Sequence, residues 1–176
     1  NPTGSVYTKE ELKDIVKYCE ERYIEVIPEF DFPGHTTAVL AAYPELSCTG
    51  EEIQPKTTAG IFKDILCAGN PESLKLIFAV LDELCEIFTG EYIHIGGDEA
   101  RYGKWRKCPK CQEKMKENGI KNEKHLQMYF MGRVNEMLRH RGKTSIAWND
   151  CLGDELDKDI VCHYWTFQNA ATVKKQ

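Results

Sequence analysis

Short β-branched runs alternate with helical patterns along this chain, and each run ends in acidic, imidazole or indole side chains. Residues 24–30 (IEVIPEF), 91–95 (EYIHI), 144–149 (TSIAWN) and 159–165 (DIVCHYW) have the length and composition of buried strands. Before the first, Thr8 and Glu11 have capping-box spacing, and Leu12, Ile15, Val16, Cys19 and Tyr23 recur at helical intervals as one buried stripe. DFPGH (31–35) has loop chemistry and leads into a short helix over 36–42, and 44–70 looks irregular. Asn70 and Pro71 supply a cap and a helix start ahead of Leu74, Ile77, Phe78, Leu81, Leu84, Cys85 and Phe88, and Gly90 stops that helix. Further helices are expected over 104–117 and 123–141, the second with Leu126, Tyr129, Phe130, Val134, Met137 and Leu138 inward. Strands separated by helices pair in parallel as βαβ units. Chemistry gathered at the C-terminal ends of several such strands is the arrangement of (β/α)8 barrels. A complete barrel needs roughly 250 residues, and this chain offers about four βα units. The expectation is therefore an α/β chain in which residues 1–176 are one partial barrel domain.

Composition removes several function classes. Lys and Arg number 23 against 28 Asp and Glu, a net charge of −5. That balance argues against general binding to nucleic acid or an anionic membrane. No apolar run approaches the ~18 residues of a membrane span. Residues 1–8, NPTGSVYT, have neither a charged start nor an apolar stretch, so no targeting segment is legible. No GxGxxG or GxxxxGK[ST] follows a strand, which removes the main support for a nucleotide site.

HIGGDE (94–99) is the most informative stretch. Two glycines after a strand allow a sharp turn and a close approach to a ligand. Adjacent Asp98 and Glu99 project in different directions from an extended backbone. Glycoside cleavage needs a proton for the leaving oxygen and stabilisation of an oxocarbenium-like transition state. Two adjacent, divergent carboxyls can divide those tasks; the alternative is a solvated acidic loop.

PEFDFPGH (28–35) followed by HIGGDE resembles the signatures of glycoside hydrolase family 20, the β-N-acetylhexosaminidases, and AWND (147–150) and HYW (163–165) resemble its later strand tips. The resemblance implies a (β/α)8 TIM-barrel catalytic domain of which this chain covers about strands 3 to 6. It implies a retaining, exo-acting hydrolase that removes terminal β-linked N-acetylhexosamine, GlcNAc or GalNAc, from glycans. The implied catalysis is substrate-assisted, with the sugar's own 2-acetamido oxygen attacking the anomeric carbon. By position Glu99 is the general acid and then the base, and Asp98 holds the acetamido N–H and stabilises the oxazolinium. His35, Asp31 and His94 are supporting residues, Glu29 a weaker candidate, and Trp148 and Trp165 wall the acetamido pocket. Asn149 and Asp150 either bind sugar hydroxyls or merely end their strand. No cofactor and no metal ion is implied, and the implied partners are N-acetylhexosamine-containing glycans rather than nucleic acid or membrane.

The family's first-strand Arg and the residues after its seventh and eighth strands have no counterpart here. A half barrel exposes sheet edges and an apolar inner face, so the segment alone is expected to self-associate and to be a poor or inactive catalyst. Two rival readings stand beside the hydrolase. One is a metal-dependent barrel hydrolase with His94, Asp98, Asp31 and His35 as ligands. The other is a non-catalytic carbohydrate-binding remnant, in which Asp98 and Glu99 would be tied up in salt bridges instead of facing a pocket.

The eight cysteines are scattered. Cys19 and Cys85 fall on apolar helix stripes and read as core thiols. Cys108-Pro-Lys-Cys111 has metal or redox spacing, but a structural zinc takes four ligands and no second CxxC or HxxxH lies nearby in sequence. Free thiols, a disulfide and a metal all stay open for that pair. Cys48 and Cys67, in ELSC…LCAG, resemble a loop pair that can be disulfide-linked in bacterial family members. Such a bridge, closing about 20 residues, would stabilise the loop by roughly 3 kcal/mol. It would also imply an extracytoplasmic location, periplasmic or secreted.

Overall fold

The computed structural model describes residues 6–166. The opening five residues of NPTGSVYT and the closing stretch from 167, with its VKKQ, lie outside the described residues. Five α-helices and three strands follow in the order α1 (Lys9–Glu20), α2 (Thr37–Ala42), α3 (Pro71–Ile87), β1 (Tyr92–His94), α4 (Pro109–Glu117), α5 (Glu123–His140), β2 (Thr144–Trp148) and β3 (Val161–His163). The three strands form one parallel sheet in that order, with Ile93 opposite Ser145 and Ala147 opposite Cys162. Among the described residues no helix is long and apolar enough to cross a membrane.

α1, α3 and α5 each start on a side-chain cap. At α1 the Thr8 hydroxyl accepts from the Glu11 N–H at 3.2 Å, and the Glu11 carboxylate accepts from the Thr8 N–H at 2.7 Å. At α3 the Asn70 side chain accepts from the Glu72 N–H, and Pro71 fills the first helical position, where its missing donor is harmless. α5 buries Leu126, Phe130, Val134 and Leu138 completely, and it packs on β2 and against α3. Tyr129 and Met137 are only partly buried at the edge of this core.

Four sequence expectations are corrected. The stripe on α1 is narrower than its periodicity suggests. Val16 is buried against Ile87 and Phe88, whereas Ile15 is exposed and Tyr23, beyond the helix end at φ 57°, is fully exposed. The segment 24–30 is not a buried strand but an extended stretch bridged to β1. The His94 N–H donates to the Pro28 carbonyl at 2.9 Å, and the Phe30 N–H donates to the His94 carbonyl at 3.0 Å. Pro28 removes one donor from the row, and Ile24 and Ile27 stay exposed. The helix expected over 104–117 is split, because a proline has no N–H to continue a helix and is best tolerated at its start. Trp105–Lys107 forms a 3₁₀ turn and α4 begins at Pro109. Cys19 and Cys85, expected in the core, are half-buried.

The irregular 47–70 segment is held at both ends. The Leu66 N–H donates to the Pro33 carbonyl at 3.0 Å, the Cys67 N–H to the Leu46 carbonyl at 2.9 Å, and the Trp105 indole to the Leu66 carbonyl at 2.9 Å. All eight cysteines are free thiols, so Cys48 and Cys67 are not bridged. Their sulfurs share one cluster with those of Cys108 and Cys111, and Cys67 Sγ lies 3.7 Å from Cys108 Sγ and 3.6 Å from Cys111 Sγ. The second cysteine pair that sequence spacing did not supply for Cys108 and Cys111 is supplied by the fold.

Candidate active site

Beyond His94 the chain turns through Gly96 at φ 64° and Gly97 at φ 99°, a backbone region that side chains disfavour. Space demands glycine as well. A Cβ on Gly96 would lie 1.8 Å from Asp31 Oδ1, and one on Gly97 would lie 2.7 Å from Met131 Cε. The same close approach lets the Gly97 N–H donate to Asp31 Oδ1 at 3.0 Å. Gly96→Ala is therefore expected to cost about 1–3 kcal/mol from backbone strain alone, with the Asp31 overlap added. A melt matching wild type would contradict this reading of the turn.

Asp98 and Glu99 follow at the rim. Glu99 at φ 50° and His35 at φ 52° are both non-glycine residues in the left-handed region, strain of the kind that concentrates at functional sites. His35 Nε2 stands 3.3 Å from Asp98 Oδ2 and 3.4 Å from Glu99 Oε2, so one imidazole spans both carboxyls. The two carboxyls otherwise diverge. Asp98 lines a cleft of about 340 Å³ with Glu29, Asp31, His35, Trp148 and Trp165. Glu99 lines a second cleft of about 480 Å³ beside Tyr102, Gln127, Asp150 and Trp165. Each carboxyl contacts His35 and also lines a cleft, and neither has a Lys or Arg ion pair among the described residues. Asp98 Oδ1 is buried and has no hydrogen-bond partner among the described residues.

Asp31 completes the acidic group. Burial, then the neighbouring Asp98 charge, pushes its carboxyl up to about 8 against the Gly97 N–H, so it carries a proton at neutral pH. Because the folded value lies above 3.8, the stability Asp31 contributes is fully present below 3.8 and is lost as pH rises through about 8. Asp31→Asn keeps a neutral amide in place and is expected to flatten that loss, seen by comparing melts at about pH 5 and about pH 8. An unchanged slope would show that Asp31 is not the group responsible.

His94 is buried, and burial, opposed by the Glu29 charge, lowers it below the usual imidazole range. The Gly96 N–H donates to His94 Nδ1 at 3.1 Å, which assigns the proton to Nε2, facing His163 Nδ1 at 3.4 Å. His94 thus supports the turn from behind. Glu29 accepts from the Trp148 indole at 2.8 Å and sits 3.4 Å from His94. Trp148 stacks on His163 at 4.1 Å and meets Trp165 edge-on at 6.2 Å, so the two expected indoles do form one wall. Asn149 ends its strand in a specific way. It is fully buried, accepts from the Trp165 and Thr166 N–H groups, and donates to the Thr166 carbonyl. Asp150 accepts from the Glu99 N–H at 3.4 Å.

Sequence reasoning missed His163 and Gln127. Gln127 donates to the Gly97 carbonyl at 2.7 Å from the buried face of α5. Its signal was a polar residue on an otherwise apolar stripe. For the metal-hydrolase reading, ligand atoms of Asp31, His35 and Asp98 do lie within 4.8 Å of one another, but the fourth expected ligand, His94, is engaged with Gly96 and His163 instead.

The sequence model for "Glycosyl hydrolase family 20, catalytic domain" matches residues 1–176. A β-hexosaminidase of Porphyromonas gingivalis is 41% identical over 159 residues, covering 90% of this chain and 20% of that protein. The crystal structure of Flavobacterium johnsoniae chitobiase superposes with a TM-score of 0.86 at 40% identity, over 94% of this chain and 25% of that one. An exo-β-N-acetylglucosaminidase from Vibrio harveyi, solved in complex with N-acetylglucosamine, gives a TM-score of 0.80 at 34% identity, over 94% and 26%. The chain therefore spans about a fifth to a quarter of the length of these relatives.

Proposed function

The chain belongs to glycosyl hydrolase family 20, its residues 1–176 falling in that family's catalytic domain, and we propose that it carries the acid/base and acetamido-holding part of a retaining exo-β-N-acetylhexosaminidase. The observation that carries the reading is the divergence of Asp98 and Glu99 into two clefts that share Trp165. The acetamido group of a terminal N-acetylhexosamine enters the Asp98 cleft, its methyl against Trp148 and Trp165 and its N–H donating to the Asp98 carboxylate. Held so, the amide oxygen attacks the anomeric carbon while Glu99 gives its proton to the leaving oxygen. One carbon–oxygen bond forms, the glycosidic bond breaks, and Asp98 offsets the positive charge of the oxazolinium. Water then attacks the same carbon, Glu99 takes its proton, and the acetamido group is restored. His35 Nε2, 3.3 Å from Asp98 and 3.4 Å from Glu99, is within reach of both carboxyls and orients them.

The partners are glycans ending in N-acetylhexosamine. Cleavage of an aryl N-acetyl-β-glucosaminide and of the matching aryl β-glucoside, by the protein with its barrel complete, tests the reading. The glucosaminide is expected to react at least ~10²-fold faster, since the glucoside lacks the internal nucleophile. Equal rates would sink the acetamido role. Residues 1–176 expressed alone are expected to self-associate, because Ile27 and Val161 are exposed around an open cleft of about 430 Å³ on the sheet face. A monomer at all concentrations by sedimentation would contradict this.

A further inference from the structure

We propose that Cys48, Cys67, Cys108 and Cys111 form a structural zinc site of four thiolates, which ties the 47–70 loop and the start of α4 to the segment that carries His35. The four sulfurs all lie within 4.8 Å of one another. The separations from Cys67 to Cys111, Cys67 to Cys108 and Cys48 to Cys111 are 3.6, 3.7 and 3.9 Å. A tetrahedron with zinc–sulfur bonds of about 2.3 Å has edges of about 3.8 Å. A disulfide requires about 2.0 Å, and would pair sulfurs two by two rather than leave one in contact with two others.

Three further features suit such a site. Cys67 and Cys111 are fully buried, Cys108 is 3% exposed and Cys48 is half-buried, so three of the four sulfurs are shut off from solvent, as ligands of structural zinc are. Cys108 is the N-cap of the nine-residue α4 and Cys111 lies in its first turn, where unpaired N–H groups and the helix dipole favour negative sulfur. Gly69 brings its backbone against the first turn of α4 beside Lys110 and Cys111. Gly69 has to be glycine there, because a Cβ would meet the Lys110 carbonyl carbon at 2.2 Å.

Binding exchanges the thiol protons for one divalent ion, with no change of oxidation state, so no oxidant or reductant is needed. The structural consequence is direct. Cys67 adjoins Leu66, whose N–H holds the Pro33 carbonyl and whose own carbonyl is held by Trp105. Pro33 is two residues from His35. The metal would thus fix a long irregular loop, which packing alone specifies poorly, to the turn that carries His35.

The test is metal content and spectroscopy, neither of which depends on hexosaminidase activity. Protein purified reduced and without chelator should contain about one zinc per chain, and its cobalt-substituted form should show the intense visible bands and sulfur charge transfer of tetrahedral thiolate. Cys111→Ser should lower bound zinc at least ~10-fold. If that variant fails to fold, the wild-type stoichiometry and cobalt spectrum decide alone. Zinc well below stoichiometric after growth in zinc-replete medium would overturn the site. So would a red iron-bearing protein, or peptide mapping that finds Cys48 bridged to Cys67; that last result would restore the argument for an extracytoplasmic location.

Discussion

If the proposed function holds, Glu99→Gln in the protein with its barrel complete is expected to lower kcat/KM on a glycoside with a poor leaving group by about 10²–10⁴, the usual worth of a positioned general acid. The amide keeps the shape of the side chain, and the Glu99 N–H keeps its bond to Asp150, so geometry at φ 50° should survive. What goes is the proton for the leaving oxygen. An aryloxide of low basicity departs without much protonation, so the loss should shrink on activated aryl substrates. Equal losses on good and poor leaving groups would take Glu99 out of the acid role.

Asp98→Ala is the second large effect. Asp98 Oδ1 is buried and unmatched among the described residues, and the carboxylate lies within 3.3 Å of His35. A charge aimed at a developing cation in a closed site is worth about 10²–10³ in kcat. Its removal should act on every N-acetylhexosaminide regardless of leaving group, because the charge on the oxazolinium is the same for all. That separates it from the Glu99 pattern. A leaving-group dependence like that of Glu99→Gln would contradict the division of labour between the two.

The legible part of this molecule was local. The Thr8–Glu11 cap, the Asn70–Pro71 start, the α5 stripe and the HIGGDE turn are each written within a few adjacent residues. The divergence of Asp98 and Glu99 was expected from alternation along an extended backbone, but Glu99 sits at φ 50°, so the turn and not strand alternation sets it. What could not be read is what the fold assembles across distance. The cysteine cluster joins positions 41 to 63 residues apart, so no spacing rule announces it. Gln127 reaches Gly97 from 30 residues away. The segment 24–30 reads as a buried strand by composition, but one proline and the lack of a covering partner among the described residues leave it as a single bridge.

The substrate-assisted mechanism makes a demand that a two-carboxylate nucleophilic mechanism does not: a site that fits the bicyclic oxazolinium better than the sugar that precedes or follows it. The direct measurement is the ratio of dissociation constants for a thiazoline mimic of that intermediate and for N-acetylglucosamine, on the protein with its barrel complete. The mimic should bind at least ~10²-fold more tightly, as intermediate mimics resembling the transition state do. Equal affinities, or a sugar trapped covalently on Asp98, would show that the acetamido group is not the nucleophile.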